Sequence, residues 1–501
     1  MGVLSTLSQW LTPSGMAAAA VAVVTLRLVV HRFLTDPLRS IPGPEITRWT
    51  GLHVRISVLT GRRAAYVHSL HQKYGPVVRT SPHEVDISDV SAAREIHRSS
   101  ATFTKTSFYH SKGAPQSMFS TRDPQFHTAR RRLLGPCFAE SSLAMLEPNV
   151  LELVRRAVEG IGREAKITGS ADVLKWWTLM AMDVIGDLSF GESFGMVERG
   201  QKTQFAEDVG NLGAVLPLRT AFPWLIMIGS ILPIPLFKDV ARSRQRIIAY
   251  NSERVARYME EVQAGTEKTK RTLFASLMRS GSAELSARDL TIEVQSYIAA
   301  GTDTTAVTAT YLVWAVCRDN KIQEKLVQEL KSLPADIEHK HVRNLPYLNH
   351  VVEEALRRYG AAPGALPRDV PVGGATLAGT FLPHGTVVST QGYSIHRDPS
   401  IFPDPERFDP GRWENPTKEM KDAFMAFGTG PRGCIGVHLA RMELRLAAAM
   451  FFRAYPNAKI SNQEGMSDAN MEETISFLLM PKGHRCLVEV DRDSRVDDLL
   501  S

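Results

Sequence analysis

Cysteine is scarce. The 501 residues hold four, Cys137, Cys317, Cys434 and Cys486, far apart and never as a C-x-x-C pair. That spacing excludes zinc ribbons, iron–sulfur clusters and a disulfide scaffold, and it fits a reducing compartment. Ser/Gly-rich and charge-run linkers are also missing after the N-terminal stretch, so residues 41–501 read as one large domain behind a segment at 1–40. Hydrophobic residues make up 44% of the chain, ample for a sizeable core. The net charge of +6 comes with no extended basic block and no nucleic-acid motif, so DNA or RNA binding is not inferred. A basic surface could instead meet anionic lipid or an acidic protein. The one Asn-x-Thr triplet, Asn415-Pro416-Thr417, is blocked for glycosylation by its proline.

Lys and Arg are absent from Met1 to Leu26, and Met16 to Val30 is apolar except for Thr25 and Arg27. The run is shorter than the roughly 20 residues of a full span, but it predicts a membrane anchor. Arg27, His31, Arg32 and Arg39 lie at its end, opposite to a secretory leader, which places the downstream chain in the cytosol. Met1-Gly2 with Thr6 fits a permissive myristoylation pattern and is read as coincidence. Ile41-Pro42-Gly43-Pro44 is a stiff break. Val77–Thr80 and Val85–Ile87 flank a turn and predict a hairpin. Phe222–Phe237 is strongly apolar but carries three prolines, so it is either core or a lid that touches the membrane.

The chemistry gathers at Phe427-Gly-Thr-Gly-Pro-Arg-Gly-Cys-Ile-Gly436, which runs into a helical sequence. Its glycines let backbone turn sharply and approach something flat. Cys434 falls at a helix entrance, where free N–H groups favour thiolate. A lone thiolate suits haem iron. Gly428-x-Gly430-x-x-Gly433 also fits a dinucleotide fingerprint, but no acid stands about 20 residues on. Zinc at Cys434 and His438 lacks a second ligand pair. A structural cysteine in a Gly-rich turn remains open on spacing alone. The other three cysteines lie in apolar surroundings and read as core.

Thr291–Cys317 predicts a long helix with Ala300-Gly301-Thr302-Asp303-Thr304-Thr305 at its middle, poor for a helix centre. Thr hydroxyls there bond back to the preceding turn and bend the helix, leaving room for a diatomic ligand at Gly301; close helix packing is the alternative. Leu345–Tyr359 predicts a helix on which Glu354 and Arg357 are surface neighbours. Three consecutive arginines, Arg130 to Arg132, cannot all point one way, so one is expected inward. Ala361–Gln391 predicts short strands, and Ile475–Val490 a closing hairpin around Pro481-Lys482-Gly483.

Together, Phe427-Gly-x-Gly-x-Arg432-x-Cys434-x-Gly436, Ala300–Thr305, Glu354-x-x-Arg357 and Pro405–Phe408 resemble the motifs of the cytochrome P-450 monooxygenases, in family order. The resemblance implies a mainly α fold with small β-sheets and a single haem domain behind the anchor. It implies haem b with Cys434 as axial thiolate, Phe427 shielding the sulfur, and Gly436 letting the helix lie against the porphyrin. Arg432, Arg368 and Arg131 would meet haem propionates, with His127 standing where the family usually has Trp. Thr304 and Asp303 would hold and relay protons during oxygen activation, and Arg407 would complete a buried triad with Glu354 and Arg357. Residues near Ala362–Leu366 and the loop Ser107–Asp123 would line and roof the pocket.

The implied reaction inserts one atom of O2 into a lipophilic small molecule, hydroxylation foremost, with epoxidation or desaturation as other outcomes. Electrons would come from a separate NADPH-dependent reductase docking on the cysteine side, with Arg130, Arg132, Arg441 and Arg445 as docking charges. The pattern resembles fungal microsomal members of secondary metabolism, anchored at the endoplasmic reticulum with the haem domain in the cytosol. A haem-thiolate isomerase or dehydratase, or a non-enzymatic haem carrier or sensor, are the alternatives. The Asp303-Thr304 pair argues against both.

Overall fold

Ser286 starts the helix on which the molecule is built. Its Oγ accepts from the Asp289 N–H at 3.1 Å while the Asp289 carboxylate accepts from the Ser286 N–H, a reciprocal cap at the head of Ala287–Cys317. Every residue from Thr305 to Val313 is buried. A helix enclosed on all sides must run through the centre of its domain. The computed structural model in which it lies describes residues 13–98, 102–110, 115–231, 234–265, 272–275 and 285–490.

In chain order the principal helices are α1 (Pro13–Thr35), α2 (Leu52–Leu59), α3 (Val90–Arg98), α4 (Pro124–Leu134), α5 (Glu147–Thr168), α6 (Val173–Phe190), α7 (Leu216–Ala221), α8 (Pro223–Ile231), α9 (Pro235–Gln263), α10 (Ala287–Cys317), α11 (Pro346–Tyr359) and α12 (Val437–Ala454). α10 packs along α6 and also against α9, α11 and α12. One apolar cluster, including Trp177, Tyr311, Leu348 and Phe451, joins these helices. Burying side chains of this size contributes about 1.5–3 kcal/mol each.

The strands are short: β1 (Val77–Ser81), β2 (Glu84–Ile87), β3 (Thr104–Lys105), β4 (Ala171–Asp172), β5 (Arg368–Asp369), β6 (Ala375–Leu377), β7 (Thr380–Leu382), β8 (Val387–Ser389), β9 (Lys459–Ile460), β10 (Glu473–Ile475), β11 (Leu479–Pro481) and β12 (Leu487–Glu489). The main sheet runs β1-β2-β8-β5-β3, so the expected hairpin pairs as β1 and β2 and the Ala361–Gln391 region supplies its centre. A buried ion pair, Arg79 Nη2 to Asp36 Oδ1 at 3.0 Å, pins the chain leaving α1 to this sheet. The architecture is mainly helical with small sheets.

Two expectations change. The closing hairpin is β10–β11, which turns at residues 476–478, while β12 pairs instead with β4 and β9. The Pro481-Lys482-Gly483 stretch is not that turn, because Lys482 N–H bonds the Glu472 carbonyl and Gly483 N–H that of Asn470. The apolar N-terminal run does form a helix, α1, and its Val21, Val23, Val24 and Leu26 are exposed. Among the described residues, however, no helix is long and apolar enough to cross a membrane. Arg27, His31 and Arg32 fall within α1 and interrupt its apolar length. Among the described residues of the Phe222–Phe237 stretch, Trp224, Ile228, Ile234 and Leu236 are exposed rather than core. The Met1-Gly2 pattern lies outside the described residues.

Candidate active site

Gly430 shapes the loop that ends at Cys434. Its φ is +67°, and a Cβ there would stand 1.9 Å from the His97 carbonyl oxygen at the end of α3, so only glycine fits. Behind it, Cys434 N–H donates to the Phe427 carbonyl at 2.8 Å, and Arg131 Nη1 reaches from α4 to the Gly433 carbonyl at 2.6 Å. Gly436 caps α12, and a Cβ on it would lie 4.0 Å from the Cys434 sulfur. The Arg441 guanidinium lies 5.4 Å over the Phe427 ring.

Of the four cysteines Cys434 is the one not buried; Cys137, Cys317 and Cys486 are core residues. The Cys434 sulfur is open but recessed, and desolvation raises its thiol pKa against the Gly436 N–H and the Arg131 charge. Desolvation thus opposes the thiolate that the helix entrance and Arg131 favour. A metal would reverse this, because a coordinated thiol is deprotonated outright.

The loop is held from behind by Glu354, buried on α11. Its carboxylate accepts from Arg357 Nε at 2.9 Å and Nη2 at 2.8 Å, Arg412 Nε at 3.0 Å, Trp413 Nε1 at 2.9 Å and the Asp409 N–H at 2.9 Å. Arg407 is not its side-chain partner. Arg407 is exposed and contributes only its carbonyl oxygen, which accepts from Arg357 Nη2 at 3.2 Å. The guanidinium in that place belongs to Arg412, because the turn at Pro410–Trp413 carries it back over α11. His396 completes the linkage. Its Nδ1 donates to the Arg357 carbonyl at 2.9 Å and its Nε2 accepts from Met425 N–H at 2.9 Å, while Gly428 N–H bonds the Met425 carbonyl. Burial among arginines lowers the His396 pKa to about 3, so the ring stays neutral.

α4, β3, β5 and the loop bring together His127, Lys105, Arg368 and Arg432. Lys105 feels Arg368 and Arg432, and His127 feels Arg432, Arg131 and Lys105, with no acid acting on either. Burial and these cations lower the His127 pKa to about 3 and that of Arg432 to about 10. Arg432 Nη1 donates to the Thr121 carbonyl at 3.0 Å, yet Arg432 Nε and Nη2 and His127 Nδ1 are buried without partners. Buried donors and like charges without acceptors are costly. The arrangement suits an anion carrying several oxygens.

Thr304 lies on the uninterrupted α10, its Oγ1 donating to the Ala300 carbonyl at 2.6 Å. Burial raises the Asp303 carboxyl above its ordinary range. Next to them Thr305 bonds Glu443 of α12, whose carboxyl burial pushes up to about 8.

The family model of cytochrome P-450 matches residues 41–488. The chain belongs to the cytochrome P-450 family. It is 47% identical over 484 residues to cytochrome P-450 monooxygenase tazI of Aspergillus terreus, covering 95% of this chain and 99% of that one. It is 38% identical to the monooxygenase stcB of Emericella nidulans over 90% and 88% of the two chains. It is 31% identical to a benzoate 4-monooxygenase of Aspergillus niger over 94% and 96%. As a cytochrome P-450 the chain is an oxygen-dependent oxidoreductase that takes haem b on a cysteine thiolate, uses a redox partner and acts on small molecules. The unpartnered donors of Arg432 and His127 fit the two carboxylates of that haem.

Sequence reasoning did not find Lys105, His396, Arg412 or Glu443. A Trp beside Arg412 was the only local hint. The four arginines read as docking charges differ in exposure and partners. Arg130 is buried between Asp289 at 3.2 Å and Glu293 at 3.7 Å, Arg441 is paired with Glu353, and Arg445 donates to Asn349 at 2.7 Å. Arg132 alone of the four is exposed. Two of the three consecutive arginines point inward because α4 lies between α10 and the cysteine loop.

Proposed function

We propose that this P-450 hydroxylates a lipophilic small molecule as a tailoring step in fungal secondary metabolism, with Cys434 as the axial ligand. The observation that carries the assignment is the cluster of Arg432, His127, Arg368 and Lys105, in which Arg432 Nε and Nη2 and His127 Nδ1 are buried without partners, beside a recessed cysteine. Haem b, when bound, supplies the iron at which O2 is reduced and cleaved. Arg432, His127 and Arg368 would hold its carboxylates, and Glu354 with Arg357 and Arg412 holds the loop that presents Cys434. Phe427 would shield the sulfur, and Gly436, with no Cβ beside that sulfur, would leave room for the cofactor at the head of α12. The Thr304 hydroxyl already donates to Ala300, so its oxygen is free to accept from a water at the reacting centre. Asp303, easily protonated because it is buried, supplies protons to that water.

Electrons come from a separate NADPH-dependent reductase on the cysteine side. The protein sits at the endoplasmic reticulum membrane with its haem domain in the cytosol. Support for membrane contact is the apolar exposure of α1 together with Leu52, Ile56 and Leu59 of α2 and Trp224 and Ile228 of α8, joined through α7. Such a surface suits interfacial seating. Flotation with phosphatidylcholine vesicles checks it: Trp224→Asp with Ile228→Asp should release the protein, and undiminished flotation counts against this face.

The deciding experiment is the carbon monoxide difference spectrum of the reduced protein. A far-red Soret band is expected for wild type and none for Cys434→Ala. Its absence from intact wild-type protein ends the proposal. Comparing metabolites of the native host with and without the gene would then identify the substrate.

A further inference from the structure

One carboxylate on α10 is buried with few donors around it. Glu293 is 1% exposed, and its Oε1 accepts from the Met118 N–H at 2.9 Å and lies 3.7 Å from Arg130 Nε on α4. Glu293 Oε2, Arg130 Nη1 and the hydroxyl of Tyr297, one turn further along α10, are buried without hydrogen bonds. Glu354, by contrast, gathers five donors. A buried carboxylate so thinly served stabilises no more than an apolar side chain of its size would, so its contact with Met118 calls for a reason beyond packing.

Met118 belongs to a turn that is braced within itself. Ser117 N–H donates to Ser120 Oγ at 3.0 Å, Ser120 N–H to Ser117 Oγ at 3.2 Å, and Thr121 N–H to the Ser117 carbonyl at 3.0 Å. A turn so closed on itself moves as one piece. It is joined to α10 through Glu293 and through Ser296, whose Oγ lies 3.3 Å from that of Ser117. It also carries Phe119, 49% exposed, whose ring meets Tyr109 edge-on at 5.9 Å and Phe477 at 6.4 Å.

We propose that Glu293 is a positioning residue for the pocket: by holding the Met118 N–H it keeps the turn at residues 117–121 seated on α10 and so fixes where Phe119 stands over the substrate. The proposal rests on the haem-thiolate reading above, in which this loop roofs the site. Titration bears on the seat. Burial pushes the Glu293 carboxyl up to about 7, with Asp289 adding to the rise and Met118 N–H, Arg130 and Tyr297 opposing it. Cys137 faces Tyr297, and Arg130 also pairs with Asp289 at 3.2 Å. Lifting the turn lets water reach the carboxyl, which returns toward its ordinary 4.5 and releases a proton. The seated turn is therefore favoured below 4.5 and loosens as pH rises to about 7.

The test follows hydrogen exchange of the Met118 amide, and stopped-flow binding of 4-phenylimidazole as a ligand of haem iron, in full-length holoprotein. Glu293→Ala should exchange about tenfold faster at Met118, as for loss of one ordinary hydrogen bond, and should admit 4-phenylimidazole faster while its carbon monoxide band is kept. Glu293→Gln keeps an acceptor without the charge, so it should be at least as protected as wild type. In wild type, exchange corrected for intrinsic chemistry should rise about tenfold from pH 6 to pH 8, and in Glu293→Gln it should not. If Glu293→Ala does not accumulate, that pair of pH profiles decides. Wild-type protection in Glu293→Ala, or equal pH profiles in wild type and Glu293→Gln, overturns the proposal. A wild type without the far-red carbon monoxide band ends the haem-thiolate reading instead, and Met118 exchange still reports whether Glu293 seats the turn.

Discussion

Replacing Arg412 and Arg407 in turn tests how the cysteine loop is supported. Glu354 is fully buried, and its carboxylate gathers Arg357, Arg412, Trp413 and the Asp409 N–H. Arg412→Ala removes a charge-assisted bond at 3.0 Å from a side chain only 7% exposed, but leaves the Glu354–Arg357 pair. Its cost should be about 2–3 kcal/mol. Glu354→Ala strands two guanidiniums and should cost about 3–5 kcal/mol, a large part of the 5–15 kcal/mol that ordinarily holds a domain folded. Arg407→Ala keeps the carbonyl that Arg357 uses and should stay within about 0.5 kcal/mol, as for an ordinary surface change. Urea unfolding of holoprotein, followed by the Soret band and by tryptophan fluorescence, gives the order. Arg407→Ala as damaging as Arg412→Ala would refute the arrangement, and a stable Glu354→Ala holoprotein would refute the burial argument.

Gly430→Val should abolish holoprotein, since positive φ costs about 1–3 kcal/mol for a side chain and its Cβ would collide with the His97 carbonyl; a normal carbon monoxide band would sink that expectation. Thr304→Ala should keep haem but lower product per reducing equivalent by about tenfold or more, with the excess appearing as hydrogen peroxide; unchanged coupling would remove Thr304 from proton handling. Glu443 carries a pH signature. Its folded pKa of about 8 lies above its ordinary value of 4.5, so the chain releases a proton on unfolding between those limits. Its contribution is therefore full below 4.5 and lost as pH rises to 8, at up to about 1.4 kcal/mol per pH unit. Glu443→Gln should gain on wild type from pH 5 to pH 8 in urea midpoints, and a constant difference would show that the carboxyl is already ionised.

Motifs whose members are close in the chain were legible in the sequence. Glu354 and Arg357 are three apart on a helix and pair as expected, because a helical turn brings them together whatever surrounds it. The β1–β2 hairpin and the course of α10 were legible for the same reason, since turn chemistry and apolar periodicity act locally. At Cys434 the local dipole is only part of the balance, because desolvation imposed by the whole fold acts against the thiolate that the Gly436 N–H and Arg131 favour.

The amino-acid sequence alone determined the family, the Gly-rich loop around Cys434 and the order of the main helices, since each depends on residues within a few turns of one another. Tertiary structure decided that Arg412 and not Arg407 closes on Glu354, that Lys105 faces Arg368, and that Arg130 is spent on Glu293. Those partners are brought together by the path of the chain over separations of 58, 263 and 163 residues. No local propensity encodes such a meeting, because its energy appears only once the intervening segments have packed.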